Sequence, residues 1–462
     1  MPTVIDPEPI KLALAPEPAA ENATAPEKNA SVSKATPLFL WTLAALIFAL
    51  GVLVRVWPSA GFTGTGFDEA LYRDNVLKLD KVGIFNYPAV CQLYLEDQRN
   101  PDSITKLPPT RFFYIGASWL WKRMEFGDAP PVSPKSPGFV QKDPAMVSLH
   151  HVATFFSCLG LLVGGLCAWR MLGLKALPGV LALLAASPLS IHLGQHAMID
   201  GVFAFWATLN LWLLWENLQH PRNSRLLAAF AVSLAMMVIT KENSAFVYIA
   251  LCGLLVTNHW AKIGICTKEL LIVGVAGPAI GVITLVLLAG GPGQFQEIYH
   301  LLVTKAETLT YAIKTGDGPW YRYLVDLLLI SPLVLVFAIG GAFYQLHSTG
   351  ERKAIGEQTD NTKKAYVFLV AFVGFSYLIM CNIRYGMNLR YASIWDLPLR
   401  AMAAAQVTAI ATRFGRWQMI AGVVGILGLC AYDLRQYLIY FSDGGLYELA
   451  TGGLLYVVKI LK

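Results

Sequence analysis

Apolar runs of about twenty residues, the length that crosses a bilayer as a helix, follow one another along almost the whole chain. They lie at Pro37–Trp57 and near 146–170, 177–196, 200–218, 225–241, 243–260, 269–290, 324–346, 365–382, 393–412 and 417–437. Of the 462 residues only 14 % are charged and 55 % are hydrophobic, whereas a soluble domain is about a quarter charged. So few charges cannot cover a water-soluble surface. A soluble enzyme, a nucleic-acid-binding domain and a disulfide scaffold are therefore excluded. The 7 cysteines are scattered without a CxxC pair, which gives neither a disulfide framework nor a zinc signature. The expected fold class is an all-α polytopic membrane protein with about eleven transmembrane helices. A long first external loop with amphipathic interfacial helices completes it.

The organisation follows from composition. Residues 1–36, rich in Pro, Ala and Glu, bury too little to offset their ordering entropy and are expected to be a disordered cytoplasmic tail. Residues 37–412 form the core, and 413–462 a last transmembrane helix with a short external tail. Arg170, Lys175, Arg222, Arg225, Lys262 and Lys268 fall in loops on the tail's side of the bundle. The basic-residue bias therefore makes that side cytoplasmic. Two long segments, 58–144 and 291–323, then lie on the other face. Loops of that length in a compact protein are functional or disordered. In the first, the spacing of Tyr72, Val76 and Leu79 predicts an amphipathic helix.

The chemistry-bearing residues gather on that same face. Gly61-Phe-Thr-Gly64-Thr-Gly66-Phe67 leads into Asp68 and Glu69 at the start of the predicted helix, where the helix dipole favours a carboxylate. Asp68 reads equally as a helix cap. Asp200 follows His192 and His196 at the outer end of the third span, and Lys241 and Glu242 lie at the outer end of the fifth. Arg384, Arg390 and Tyr391 lie between the ninth and tenth spans. Ionisable groups at that depth are costly and are paired or functional; simple interhelical ion pairing is the competing explanation. Asp396 and Arg400, four apart, read as a bridge along one helix face. His150 and His151 lack partners at metal-ligand spacing, and no metal is expected.

The order of these pieces resembles the membrane-embedded glycosyltransferases of the C-type fold. It is most similar to their protein O-mannosyltransferase and lipid A aminoarabinose-transferase branch. The resemblance rests on Phe67-Asp68-Glu69-Ala70-Leu71-Tyr72, Pro108-Pro109-Thr110, and Ser187-Pro188 with Asp200 downstream. It continues with Thr240-Lys241-Glu242, Pro319-Trp320-Tyr321, and Arg390-Tyr391 with Leu397-Pro398. The chain departs from the pattern at His150-His151, where many relatives have Arg, and at Asp396 and Arg400 in a stretch that is ordinarily apolar.

The resemblance implies transfer of a sugar from a polyprenyl-phosphate carrier to an acceptor, which is a protein hydroxyl, a lipid or a glycan, on the non-cytoplasmic face. It implies no cofactor, no metal and no nucleic acid, with the lipid bilayer as surroundings and a bacterial inner membrane as location. Asp68 is then the general base, with Glu69 beside it. Lys241 and Arg390 clamp the leaving phosphate, Arg384 more weakly, and Asp200, Glu242 and Tyr391 position substrate. A polytopic secondary transporter is the alternative, which would show interrupted helices in two related halves.

Overall fold

The computed structural model describes residues 35–57, 67–100, 102–308, 318–347, 360–383 and 387–443, with the single positions 453 and 457. The expected tail lies outside these residues apart from its last two positions, as do the glycine-rich lead-in before Phe67, Arg384 and nearly all of the segment after 443. The described residues form helices, with no strand among them. In order these are α1 (Ala35–Val56), α2 (Phe67–Val82), α3 (Tyr87–Arg99), α4 (Phe112–Phe126), α5 (Phe139–Lys142), α6 (Pro144–Cys167), α7 (Leu177–Ala185) and α8 (Pro188–Gln195). Next come α9 (Ile199–Gln219), α10 (Ser224–Thr240), α11 (Ser244–Ala261), α12 (Lys268–Leu288) and α13 (Pro292–Thr308). Helices at Arg322–Ile330, Pro332–His347, Asp360–Met380, Asp396–Ala411 and Gln418–Tyr437 complete the bundle.

Each apolar run in the sequence is helical, but the spans are not all simple. Among the described residues 6 helices are long and apolar enough to cross a membrane, and up to 8 if each bent pair counts once. The expected count of about eleven is therefore not reached on these criteria. The run at 177–196 is two helices bent by 55°, and the run at 324–346 is two bent by 118°. In both, a Ser-Pro pair marks the break. Pro188 and Pro332 open the second helix of each pair, because proline lacks the N–H that a continuous helix needs. The expected second long loop also changes character, since its first half is helix α13.

The break between α7 and α8 is bridged by a buried cation. Arg55, near the end of α1, donates to the backbone oxygens of Leu184 and Ala185, the last carbonyls of α7. It also donates to Ser190 on α8, Ser157 on α6 and the Gly51 carbonyl. A guanidinium beside a helix C-terminus is favoured by the exposed carbonyl dipoles. This contact fixes where α8 begins and hence where its C-terminal end, at Gln195 and His196, is delivered. Deeper in the bundle Arg400 bridges Asp396 at 2.7 Å, as their spacing predicts, and also reaches Asp433 at 2.7 Å.

The long segment between α1 and α6 folds into its own core. Tyr72, Val76 and Leu79 of α2 are buried with Tyr87, Val90, Tyr94, Tyr114 and Ile115 against Met146 and Leu149 of α6. The predicted amphipathic face of α2 is thus the face it packs. Asp143 ties this core to the bundle. It caps α6 by accepting from Met146 N–H and accepts from Val132 N–H and, through both oxygens, from Arg73 of α2. Burial pushes the Asp143 carboxyl up, but these hydrogen bonds outweigh it and hold the group below its ordinary range.

A depressed folded-state value contributes stability above the unfolded carboxyl's value of about 3.9, and the contribution is lost as pH falls through the folded one. Asp143→Asn is therefore expected to lower thermal stability at pH 7 by roughly 2–4 kcal/mol, the cost of stranding a partly buried arginine. The gap from wild type should close on acidification below about pH 4. Melting curves in detergent at several pH values check this; a gap that stays constant with pH would exclude the ionic contribution.

Candidate functional site

The N-terminal ends of α2 and α9 and the C-terminal end of α10 meet the segment from Asn388 to Trp395 in one cluster of charges. Asp68 stands in the first turn of α2, where backbone N–H groups and the helix dipole favour its negative charge. Arg390 donates from Nη1 to Asp68 Oδ2 at 2.8 Å, although the two are 322 residues apart. The same Nη1 lies 3.9 Å from Asp200 Oδ2. Asp200, in the first turn of α9, accepts from Lys241 Nζ at 2.5 Å. Lys241 in turn sits over the Tyr391 ring, 4.1 Å from its centroid. The residues thus form one continuous chain of contacts, Asp68–Arg390–Asp200–Lys241–Tyr391.

A second ion pair stands beside it. Glu242, next to Lys241 in the link between α10 and α11, pairs bidentately with Arg111, the arrangement that best suits a guanidinium and a carboxylate. Arg111 also donates to the Tyr72 hydroxyl at 2.5 Å. Burial pushes the Glu242 carboxyl up, but the Arg111 guanidinium and Lys241 outweigh it and hold the group below its ordinary range. Burial drives the Tyr72 hydroxyl far above its usual value despite Arg111, so this phenol stays protonated.

Local structure explains how each side chain is presented. Asn388 caps the turn that follows it, accepting from Arg390 N–H at 3.0 Å and from Arg390 Nε at 3.3 Å, so one residue fixes both backbone and side chain of Arg390. Lys241 is extended at the end of α10, which lets adjacent residues reach opposite partners, Asp200 and Arg111. Glu69 is fully buried, accepts from Ala197 N–H at 2.8 Å and lies 3.2 Å from His196 Nδ1. It fastens the start of α2 to the chain just after α8.

Of the residues singled out in the sequence, the structure brings together Asp68, Glu69, Asp200, Lys241, Glu242, Arg390 and Tyr391. Arg384 lies outside the described residues. Arg111 and Asn388 escaped sequence reasoning. Arg111 directly follows Pro108-Pro109-Thr110, and that position in the motif was the signal available for it. His150 is 3.0 Å from the Gln195 carbonyl oxygen and His151 3.0 Å from Glu125. Among the described residues no three His, Cys, Asp or Glu side chains are grouped to hold a metal. Beneath the cluster, Arg55, Ser157, Ser393 and Asp396 line a cavity of about 50 Å³. This is room for a few waters and too little for a sugar.

No family model and no curated protein matches this sequence. Among solved structures, the chain superposes on the archaeal oligosaccharyltransferase AglB from Archaeoglobus fulgidus in complex with an inhibitory peptide and a dolichol-phosphate. The TM-score is 0.53 at 11 % identity, over 90 % of this chain and 56 % of that one. The Archaeoglobus fulgidus oligosaccharyltransferase in complex with Zn and sulfate gives 0.52 at 12 % identity, over 89 % and 53 %. ArnT from Cupriavidus metallidurans bound to undecaprenyl phosphate aligns over 91 % of this chain and 77 % of that one, with a TM-score of 0.46 at 14 % identity. The chain spans about half the length of the two oligosaccharyltransferase chains.

The chain therefore shares the all-helical fold of these oligosaccharyltransferase chains, a fold of the kind that the sequence motifs resemble.

Proposed function

We propose that this protein moves a sugar from a polyprenyl-phosphate carrier to an acceptor nucleophile at the non-cytoplasmic face of a bacterial inner membrane. In the step we envisage, the acceptor oxygen attacks the sugar's anomeric carbon and its proton passes to Asp68. The bond from that carbon to the phosphate oxygen breaks, and its electron pair stays on the phosphate. General-base assistance of this kind contributes about 10²–10⁴-fold, and fixed cations at the leaving group stabilise the charge that develops there. Arg390 is the principal clamp on the phosphate. Lys241 supplies positive charge from behind Asp200. Glu69 holds the start of α2, while Asp200, Glu242 and Tyr391 position substrate.

The observation that carries the reading is the meeting of Asp68, Arg390, Asp200 and Lys241 from four distant parts of the chain. An acid and a phosphate-binding fork within 2.8 Å of each other suit a reaction that must accept a proton and release a phosphate at adjacent atoms. Both side chains keep some exposure, 27 % for Asp68 and 12 % for Arg390, which leaves them reachable by substrate.

One observation favours a transporter instead, namely the two broken helix pairs at 177–195 and 322–347, since transporters build midplane sites from interrupted helices. The two readings separate in one experiment. Purified protein in proteoliposomes is given a panel of polyprenyl-phosphate sugars together with a membrane extract as acceptor. Release of free polyprenyl phosphate with appearance of a glycosylated product supports transfer. Counterflow of a labelled solute without covalent product supports transport and overturns the proposal.

A further inference from the structure

Every cation that the described part of the cluster could offer to a phosphate is already engaged. Among the described residues it holds Arg111, Lys241 and Arg390 against Asp68, Glu69, Asp200 and Glu242, so the carboxylates outnumber the cations. Arg111 is held bidentately by Glu242, Lys241 by Asp200 at 2.5 Å and Arg390 by Asp68 at 2.8 Å. An anionic phosphate that takes the main share of one of these cations therefore competes with the carboxylate already held.

The three pairs are not equally able to yield. Lys241 and Asp200 are almost wholly buried, at 2 % and 4 % exposure, and breaking a buried pair leaves an uncompensated charge away from water. Arg111 would have to give up two parallel hydrogen bonds and its bond to Tyr72. Arg390 reaches Asp68 through Nη1, that pair is the more exposed, and the bond from Arg390 Nε to Asn388 does not involve that nitrogen. When Arg390 leaves, the N-terminal end of α2 remains beside Asp68 to favour its negative charge. The cost of the exchange is therefore lowest at this pair.

We infer that the donor's phosphate takes Arg390 from Asp68, so that arrival of the carrier lipid is itself what uncovers the base. This inference rests on the sugar-transfer reading and adds to it a regulation of the same site. With the carrier absent, Arg390 holds Asp68 Oδ2 and keeps that oxygen from the acceptor. With the phosphate bound, Arg390 turns to the anion and the carboxylate faces the acceptor. Donor binding then precedes productive acceptor binding, and the chemistry cannot be set up by an acceptor alone.

The exchange makes an unusual forecast for binding. Removing the charge of the base releases its competitor for the phosphate, so Asp68→Asn should bind undecaprenyl phosphate, used without a sugar, about three- to tenfold more tightly than wild type. Asp68→Ser should do the same. The gain should vanish in Asp68→Asn/Arg390→Ala, because two residues that share one interaction are not additive. Titration of detergent-solubilised protein, with melting curves confirming that each variant is folded, reads this directly. Binding by wild type that Asp68→Asn and Asp68→Ser leave unchanged or weaken overturns the exchange while leaving the transfer reading standing. Failure of wild type and every variant to bind the lipid overturns the transfer reading and this inference with it.

Discussion

Asp68→Asn is expected to lower transfer by about a thousandfold, the middle of the range for loss of a general base, while leaving the melting temperature within a few degrees of wild type. Asparagine keeps the size of the side chain and caps a helix almost as well as aspartate. A role confined to starting α2 would therefore survive the change. The proton-accepting role would not, because an amide cannot take a proton at neutral pH. Turnover close to wild type in a folded Asp68→Asn protein would remove Asp68 from the chemistry and leave it a helix-terminal residue paired with Arg390. Low activity accompanied by a collapse in melting temperature would point to structure instead.

Lys241→Ala is expected to do damage of a different kind. The ammonium is buried and bonded to a buried Asp200, so truncation strands a carboxylate that Arg390, 3.9 Å from its other oxygen, compensates only in part. Breaking one side of such a pair costs about 3–5 kcal/mol, a large share of the roughly 5–15 kcal/mol that holds a typical protein folded. Replacing both partners with uncharged residues of similar volume, Lys241→Met with Asp200→Asn, should recover most of the stability, since the pair's desolvation cost disappears with it. Transfer should stay lost in the double variant. A single variant that melts like wild type would show that the pair is not coupled, and a double variant that regains transfer would exclude both residues from the reaction.

The same geometry decides which variant reports on the phosphate. A loss of donor binding in Lys241→Ala is entangled with misfolding, whereas Arg390 is partly exposed and reaches Asp68 through Nη1. Arg390→Ala is the cleaner probe.

The spans could be read from the sequence because bilayer crossing is a demand on composition, and runs such as 269–290 meet it almost residue for residue as α12. The breaks were harder. Hydropathy averaged over 177–196 or 324–346 passes smoothly across Ser187-Pro188 and Ser331-Pro332, and a proline in an apolar run does not by itself say whether the helix kinks or restarts. Asp68, Asp200, Lys241 and Arg390 stood out because a charge beside a long apolar run is expensive unless it is paired. What could not be read was who holds whom. Nothing about Lys241 says that its partner is 41 residues earlier rather than the adjoining Glu242, because that choice is made by how α9 and α10 pack. Arg111 was lost in a loop where an arginine carries no special cost, and only the fold reveals that it turns inward to Glu242.

The span of 322 positions between Asp68 and Arg390 has a consequence for how the protein is made. A chain emerging from the ribosome inserts its early helices long before the last ones exist. Until residue 390 has been synthesised and its segment has packed against α2 and α9, the cluster lacks one of its elements. On the proposed reading, truncated or stalled products would lack the Asp68–Arg390 contact, and the cluster is completed only near the end of synthesis.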